Sequence, residues 1–340
     1  MKFNKIIATF CLSVTVVSAS VMARTVTDIN GKQIDIPDNV QRIVNLWPAN
    51  NQIVLMLGGA NKLVGTVDTI KNNPWFAKVS PHISQVPVLT NGQTVQLEEL
   101  LATKPDVVLA SNAAMIQEAE RAGIKGVHVS FQDFEGLKRT VRITAEVIGD
   151  QAPQIAEEYI KELESNLQFV KERLKDIKDE QRPVVLHIFN GSNLYKIDGG
   201  KSIIGEWLAK TGARNAFPEQ ANVVEVNAEE IVKADPDIII VGSSGAVKGV
   251  EQIKKDPLWA NISAVKNGKV FSNPLGTFSW DRYSGEEALQ LLWAAKLFYP
   301  ERFADVDMVK KTQAFYKKYY HYDLSTENAK QILSGLEPLK

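Results

Sequence analysis

One segment of this chain occurs twice. Glu98-Glu-Leu-Leu-Ala-Thr-Lys-Pro-Asp-Val-Val-Leu-Ala-Ser-Asn112 returns about 130 residues downstream as Glu229-Glu-Ile-Val-Lys-Ala-Asp-Pro-Asp-Ile-Ile-Ile-Val-Gly-Ser243. In both copies two glutamates open a short helical stretch, a Pro-Asp stops it, and an apolar run follows. Proline cannot continue a helix interior, and a short apolar run bounded by a turn reads as a buried strand. Solenoid repeats have periods of roughly 20–50 residues, so this spacing predicts two similar lobes rather than an array. Two matched lobes leave a cleft, and a cleft between lobes is a preferred place for a ligand.

The first residues read as a leader. Lys2 and Lys5 give a positive start, Ile6 to Val21 is mostly apolar, and Val21-Met22-Ala23 is a small-residue cleavage signature. The expectation is a signal peptide over 1–23, cleaved near Ala23, and export to the periplasm. Cys11, the only cysteine, falls inside the leader, and Phe10 stands where a lipoprotein signal has a small residue. The exported chain then has neither thiol nor lipid anchor, and a core of this size folds without disulfides. The formal net charge is −1, and about −3 without the two leader lysines. There is no basic stripe, which argues against nucleic acid as a partner.

Strands alternating with helices imply parallel sheets in both lobes. An edge hairpin is expected around Asn30-Gly31, then strands over 42–47, 63–67 and 127–131 and helices over 114–122 and 134–148. From Pro153 to Glu180 there is neither glycine nor further proline. Ile155, Tyr159, Leu163, Leu167, Val170, Leu174 and Ile177 recur every three or four residues, giving one apolar stripe. This predicts a rigid helix roughly 40 Å long laid across both lobes. The chain therefore divides into a first α/β lobe (24–152), a linking helix (153–180), a second α/β lobe (181–300) and a helical extension (301–340). The fold class is α/β, with two Rossmann-like lobes, parallel-rich sheets and one long helix between them.

No Walker loop, nucleophile elbow or His-Glu-x-x-His is present. His82, His128, His187 and His321 are scattered, which argues against a naked transition-metal cage. In α/β sheets, ligands sit beyond the carboxyl ends of the strands. The residues there in the first lobe are Trp47, Pro48 and Asn50, then Asn91 and Gly92, then Asn112. In the second lobe they are His187, Asn190, Tyr195 and Ser243, with Trp280 and Arg282 in a late glycine-containing loop. Amides, an arginine fork and aromatic faces suit a polar or anionic ligand. His187 lies in an apolar strand and reads either as a satisfied core histidine or as a direct ligand to a metal. Glu98 and Glu229 stand at helix starts, where the dipole favours carboxylates in any case.

The order of several motifs resembles the periplasmic substrate-binding proteins of ABC importers for iron–siderophore complexes and cobalamin, the helical-backbone class. The matching stretches are Arg42-Ile-Val-Asn-Leu-Trp-Pro, Leu57-Gly-Gly-Ala-Asn-Lys-Leu-Val-Gly65, the two Pro-Asp units, the helix after Pro153 and Ala264-Val-Lys-Asn-Gly-Lys-Val-Phe. Trp280-Asp-Arg-Tyr-Ser-Gly-Glu-Glu-Ala is similar to a subgroup with molybdate- and tungstate-binding members. The resemblance implies a monomer that binds a small metal chelate or metal oxyanion between its lobes, without a cofactor or catalysis. It implies small opening motions. It also implies that Glu98 and Glu229, one per lobe, pair with arginines of a permease that works with an ATPase. The family often has Ser/Asn-Thr-Glu where this chain has Asn50-Asn51-Gln52, a stretch expected to face the ligand. Two other classes stay open: an exported two-lobed enzyme, opposed by the missing catalytic motifs, and a cell-surface interaction protein, which leaves the duplication unexplained.

Overall fold

The computed structural model describes residues 23–90 and 92–339. Residues 1–22 of the expected leader, Cys11 included, lie outside the described residues, and its last residue, Ala23, begins the first strand. The chain opens with an antiparallel hairpin, Ala23–Thr27 (β1) and Gln33–Pro37 (β2). Ile43–Asn45 (β3), Leu63–Gly65 (β4), Val107–Ala110 (β5) and Lys125–His128 (β6) then form an all-parallel sheet in the order β4-β3-β5-β6. Around it lie Pro48–Met56 (α1), Asp68–Lys71 (α2), Pro74–Val79 (α3), Leu97–Ala102 (α4), Ala113–Arg121 (α5) and Phe134–Ile148 (α6). Ala152–Leu174 (α7) leaves this lobe.

The second lobe holds Val184–Asn190 (β7), Asn193–Ile197 (β8), Arg214–Asn215 (β9), Val224–Glu225 (β10), Ile238–Val241 (β11) and Val270–Ser272 (β12). Its strand order is β10-β8-β7-β11-β12, with β9 beside β7. The centre is parallel, and β8 and β10 add an antiparallel edge. Ile203–Lys210 (α8), Ala228–Ala234 (α9), Ala246–Lys255 (α10), Ser263–Lys266 (α11) and Glu287–Phe298 (α12) complete it. Met308–Tyr320 (α13) and Thr326–Leu333 (α14) follow.

The duplicated segment is the same unit in each lobe, α4–β5 and α9–β11. Its Pro-Asp does the same work twice. The Asp106 amide donates to Arg42 O at 2.8 Å, and its carboxylate accepts from the amides of Gln41 and Arg42 at 2.7 and 2.8 Å. The Asp237 amide likewise donates to Val184 O at 2.8 Å, and its carboxylate accepts from Val184 N at 2.8 Å. Each aspartate thus pins the entry of its strand to that of the neighbouring strand, β3 or β7, and satisfies backbone groups the ladder leaves unpaired.

The long helix buries Tyr159, Ile160, Leu163 and Val170 against α6 on one side and α8 and α12 on the other. It ends at Leu174, short of the expected Glu180. The reason is a cap from outside: Arg302 donates to Arg173 O at 2.8 Å and pairs with Asp176 at 2.6 Å. Beyond it, residues 301–339 are not an appendage. Helix α13 packs on α1 of the first lobe and on α12 of the second. Gln52 of α1 accepts from Gly285 N at 2.7 Å and donates to the Tyr320 hydroxyl. The Trp75 indole donates to Leu336 O at 2.9 Å. The two lobes are therefore stapled by α7 and by this second seam.

Candidate functional site

The strand ends of both sheets meet at the groove between the lobes. Two adjoining cavities fill it and share Pro48 and Thr69. One, of about 690 Å³, lies on the first lobe, over Trp47, Thr90, Gly92, Asn112 and Met115. The other, of about 560 Å³, spans the lobes, with Asn73 and Trp75 facing Phe189, Ser243, Phe278 and Arg282. Trp47 holds the junction: its ring packs 5.4 Å from Phe131 and 6.0 Å from Tyr283 of the opposite lobe. The Tyr283 hydroxyl also donates to Gln132 Oε1 at 3.2 Å.

Arg282 forms the floor of the second cavity. Side chains alternate along a strand, so His187 and Phe189 of β7 share a face. The Arg282 guanidinium lies 4.5 Å from the centre of the Phe189 ring. Its Nη2 is 2.6 Å from Asp198 Oδ2 and 3.3 Å from Asp281 Oδ2. The same two oxygens meet His187, Asp198 at 2.9 Å from Nδ1 and Asp281 at 3.0 Å from Nε2. Antiparallel pairing of β7 and β8 delivers Asp198 here, and the Asp198 amide donates to His187 O at 3.0 Å. The Trp207 indole donates to Asp281 O at 3.0 Å and fixes the loop from behind.

Burial alone would raise both carboxyls. The positive charges of His187 and Arg282 outweigh it, holding Asp198 down at about 2 and Asp281 below the usual carboxylate range. Burial opposes the charge on His187 as well, and its Nδ1 hydrogen bond to Asp198 and the nearby negative charge of Asp281 prevail, so its pKa is raised. Beside Arg282, Ser243, Ser244 and Gly245 carry the chain into the first turn of α10. The first N–H groups of a helix have no intrahelical partner, and its N-terminus favours negative charge. A guanidinium and such a terminus facing one cavity form an anion-receptive corner. Asp68 on the first cavity and Glu337 on the second are the carboxylates of the lining. Among the described residues, no group of three or more His, Cys, Asp and Glu side chains is placed to hold a metal ion.

The family model for periplasmic binding proteins matches residues 43–274. The chain belongs to this family. It is 28% identical to the molybdate-binding protein MolA of Haemophilus influenzae, over 94% of this chain and 97% of that protein. It is 30% identical to YvrC of Bacillus subtilis, an uncharacterised ABC transporter substrate-binding lipoprotein, over 73% of this chain and 77% of that one. The structure of Haemophilus influenzae MolA bound to molybdate superposes with a TM-score of 0.80 at 26% identity, covering 89% and 99% of the two chains. The chain is thus a two-lobed solute-binding protein, and members of its family are substrate-binding proteins rather than enzymes.

Of the residues expected at the site, Trp47, Pro48, Gly92 and Asn112 line the first cavity, and Pro48, Ser243 and Arg282 the second. Asn91 lies outside the described residues. The others are placed elsewhere. Asn50 is fully buried in α1, where its Oδ1 accepts from Thr144 Oγ1 at 3.0 Å. Asn51 and Gln52 are also buried, so this stretch faces the core and the lobe seam instead of the ligand. His187 is fully buried with both ring nitrogens against carboxylates, which leaves no lone pair for a metal. Asn190 turns its Oδ1 onto the amides of Ser192 and Asn193 to close the β7–β8 turn. Tyr195 packs against Trp259 in the second lobe's own core. Trp280 is fully buried in the main core. Sequence reasoning missed Phe189, Phe278, Thr69 and Asn73. For Phe189 a signal existed, since it sits two residues from His187 on the same strand face.

Proposed function

We propose that this protein captures a compact anionic, metal-containing solute between its lobes and delivers it, unaltered, to an ABC importer. The reading that fits best is a metal oxyanion of the molybdate class. The observation that carries it is Arg282 on the cleft floor beside Ser243–Gly245, which lead into α10, a combination of fixed charge and a helix start suited to a small oxyanion. The kinship with a molybdate-binding protein along nearly the whole chain supports it. A small metal chelate is the second reading. Cavities of 690 and 560 Å³, walled by Trp47, Phe189 and Phe278, have room for a metal inside an organic shell. In both readings the metal keeps its own ligands and the protein reads charge and shape.

Export and processing near Ala23 would place the protein in the periplasm. Permease docking falls to the two copies of the duplicated unit. Glu98 and Glu229 are exposed in the first turns of α4 and α9. Three residues after each glutamate, at matching positions, Leu101 and Val232 are both 47% exposed. A carboxylate beside an uncovered apolar side chain on each lobe suits a basic, partly apolar partner surface. The test of the ligand reading is a thermal-shift screen against molybdate, tungstate, ferric citrate, cobalamin and nickel–histidine, since a ligand that binds only the folded state raises its stability. Stabilisation by molybdate or tungstate supports the first reading. A chelate as the sole hit selects the second, and no shift with any of them overturns both.

A further inference from the structure

His187 Nδ1 hydrogen-bonds Asp198 Oδ2 at 2.9 Å, and Nε2 lies 3.0 Å from Asp281 Oδ2, close in distance but off the line of a hydrogen bond. An ionised carboxylate has no proton to donate, so a neutral ring donating from Nδ1 would hold its Nε2 lone pair against the Asp281 oxygen, which repels it. The arrangement therefore fits an imidazolium between two ionised aspartates. The same aspartate oxygens hold Arg282, whose side chain is 7% exposed and reaches the cleft. With His187 charged, the cluster has two positive and two negative charges. With His187 neutral, the two carboxylates outnumber the guanidinium.

We infer that His187 sets the charge Arg282 presents to the cleft, acting as a positioning and charge-balancing residue that gives anion binding its pH dependence. The inference rests on Arg282 being the anion-binding group, as proposed above. The groups facing His187 are consistent with it. Trp207 of α8 meets the ring edge-on at 5.9 Å and brings no charge. Glu287 of α12 is near enough to feel Asp281 and Arg282. Burial, reinforced by Asp281, raises its carboxyl well above the usual range and favours its neutral form. Tyr283, on the cleft side, is held neutral by burial. The charge that titrates here is thus that of His187, held above its ordinary 6.5. Anion affinity is full below that raised value and falls as pH rises through it.

The test is calorimetric titration with molybdate, across pH, of the native protein, Arg282→Ala, His187→Gln, and His187→Gln combined with Asp281→Asn. His187→Gln keeps a donor and removes the charge, so affinity at pH 6, below the ordinary histidine value, should fall on the order of tenfold. Asp281→Asn in that background restores the charge balance and should recover most of the loss, which a merely structural role for His187 would not produce. Native affinity should decline with rising pH, with proton uptake on binding near the midpoint, read from buffers of different ionisation enthalpy. Should His187→Gln fail to fold, the native pH profile and proton uptake still decide the matter. Native-like affinity and pH profile in His187→Gln, or a flat native profile without proton uptake, overturns the inference while leaving Arg282 in place. No molybdate binding by the native protein, or full binding by Arg282→Ala, overturns the Arg282 reading and this inference with it.

Discussion

Glu286 gives the sharpest stability prediction. It is fully buried in the seam between the lobes, beside Tyr316 and the 276–278 backbone, where its Oε2 accepts from Phe278 N at 3.2 Å. Its Oε1 has no hydrogen-bond partner among the described residues. Burial raises the carboxyl from 4.5 to about 7, against the opposing pull of its hydrogen bonds. Between those two values the folded protein keeps a proton that the unfolded chain has released. Stability attributable to this group therefore falls as pH rises from 4.5 to about 7 and is level on either side. That interval corresponds to roughly 3 kcal/mol. Glu286→Gln keeps the shape and the Phe278 hydrogen bond and removes the titration. Urea unfolding of both proteins across this pH range, with unchanged m-values, should show the variant gaining about 3 kcal/mol on the native protein as pH rises. Glu287 is present in both proteins, so its own contribution cancels in the difference. A difference that does not change with pH would show that Glu286 does not hold its proton across this interval.

Two further outcomes follow from the geometry. A Cβ at Gly242 would stand 2.2 Å from Asp281 Oδ2 and 2.8 Å from His187 Cε1, so Gly242→Ala should displace the Arg282 cluster. The expected cost is about 1–3 kcal/mol of stability, with weakened anion binding. Thermal melts and calorimetry check it, and native affinity would show that the cluster does not set the site. Glu98→Ala combined with Glu229→Ala should leave ligand affinity unchanged and abolish uptake by a permease-containing vesicle. Loss of ligand binding in that variant would show that these glutamates do not belong to a docking face.

What could be read from the sequence was local or repeated. The two Pro-Asp units declared two lobes, and Asp106 and Asp237 show why the dipeptide recurs. The apolar stripe of α7 was plain, although its end depends on Arg302, far along the chain. The site was harder because its contacts are long-range. Nothing local announces that Asp198 and Asp281 converge on His187; one arrives by antiparallel pairing and the other by a loop without periodicity. In that loop Trp280 turns into the core while Arg282 and Tyr283 turn to the cleft, and no pattern distinguishes them. Asn50 was a different failure. Pro48 at the first helical position marks the helix start, so Asn50 to Gln52 lie on α1 and turn inward.

Anion binding between the lobes at Arg282 is the step on which capture of the solute depends. The most direct measurement is a crystal structure grown with tungstate, located by the anomalous scattering of the metal. One strong peak is expected in the cleft, within hydrogen-bond reach of Arg282 and the amides leading into α10, with His187 still enclosed by Asp198 and Asp281. Tungstate bound away from Arg282, or coordinated directly by His187, would contradict it.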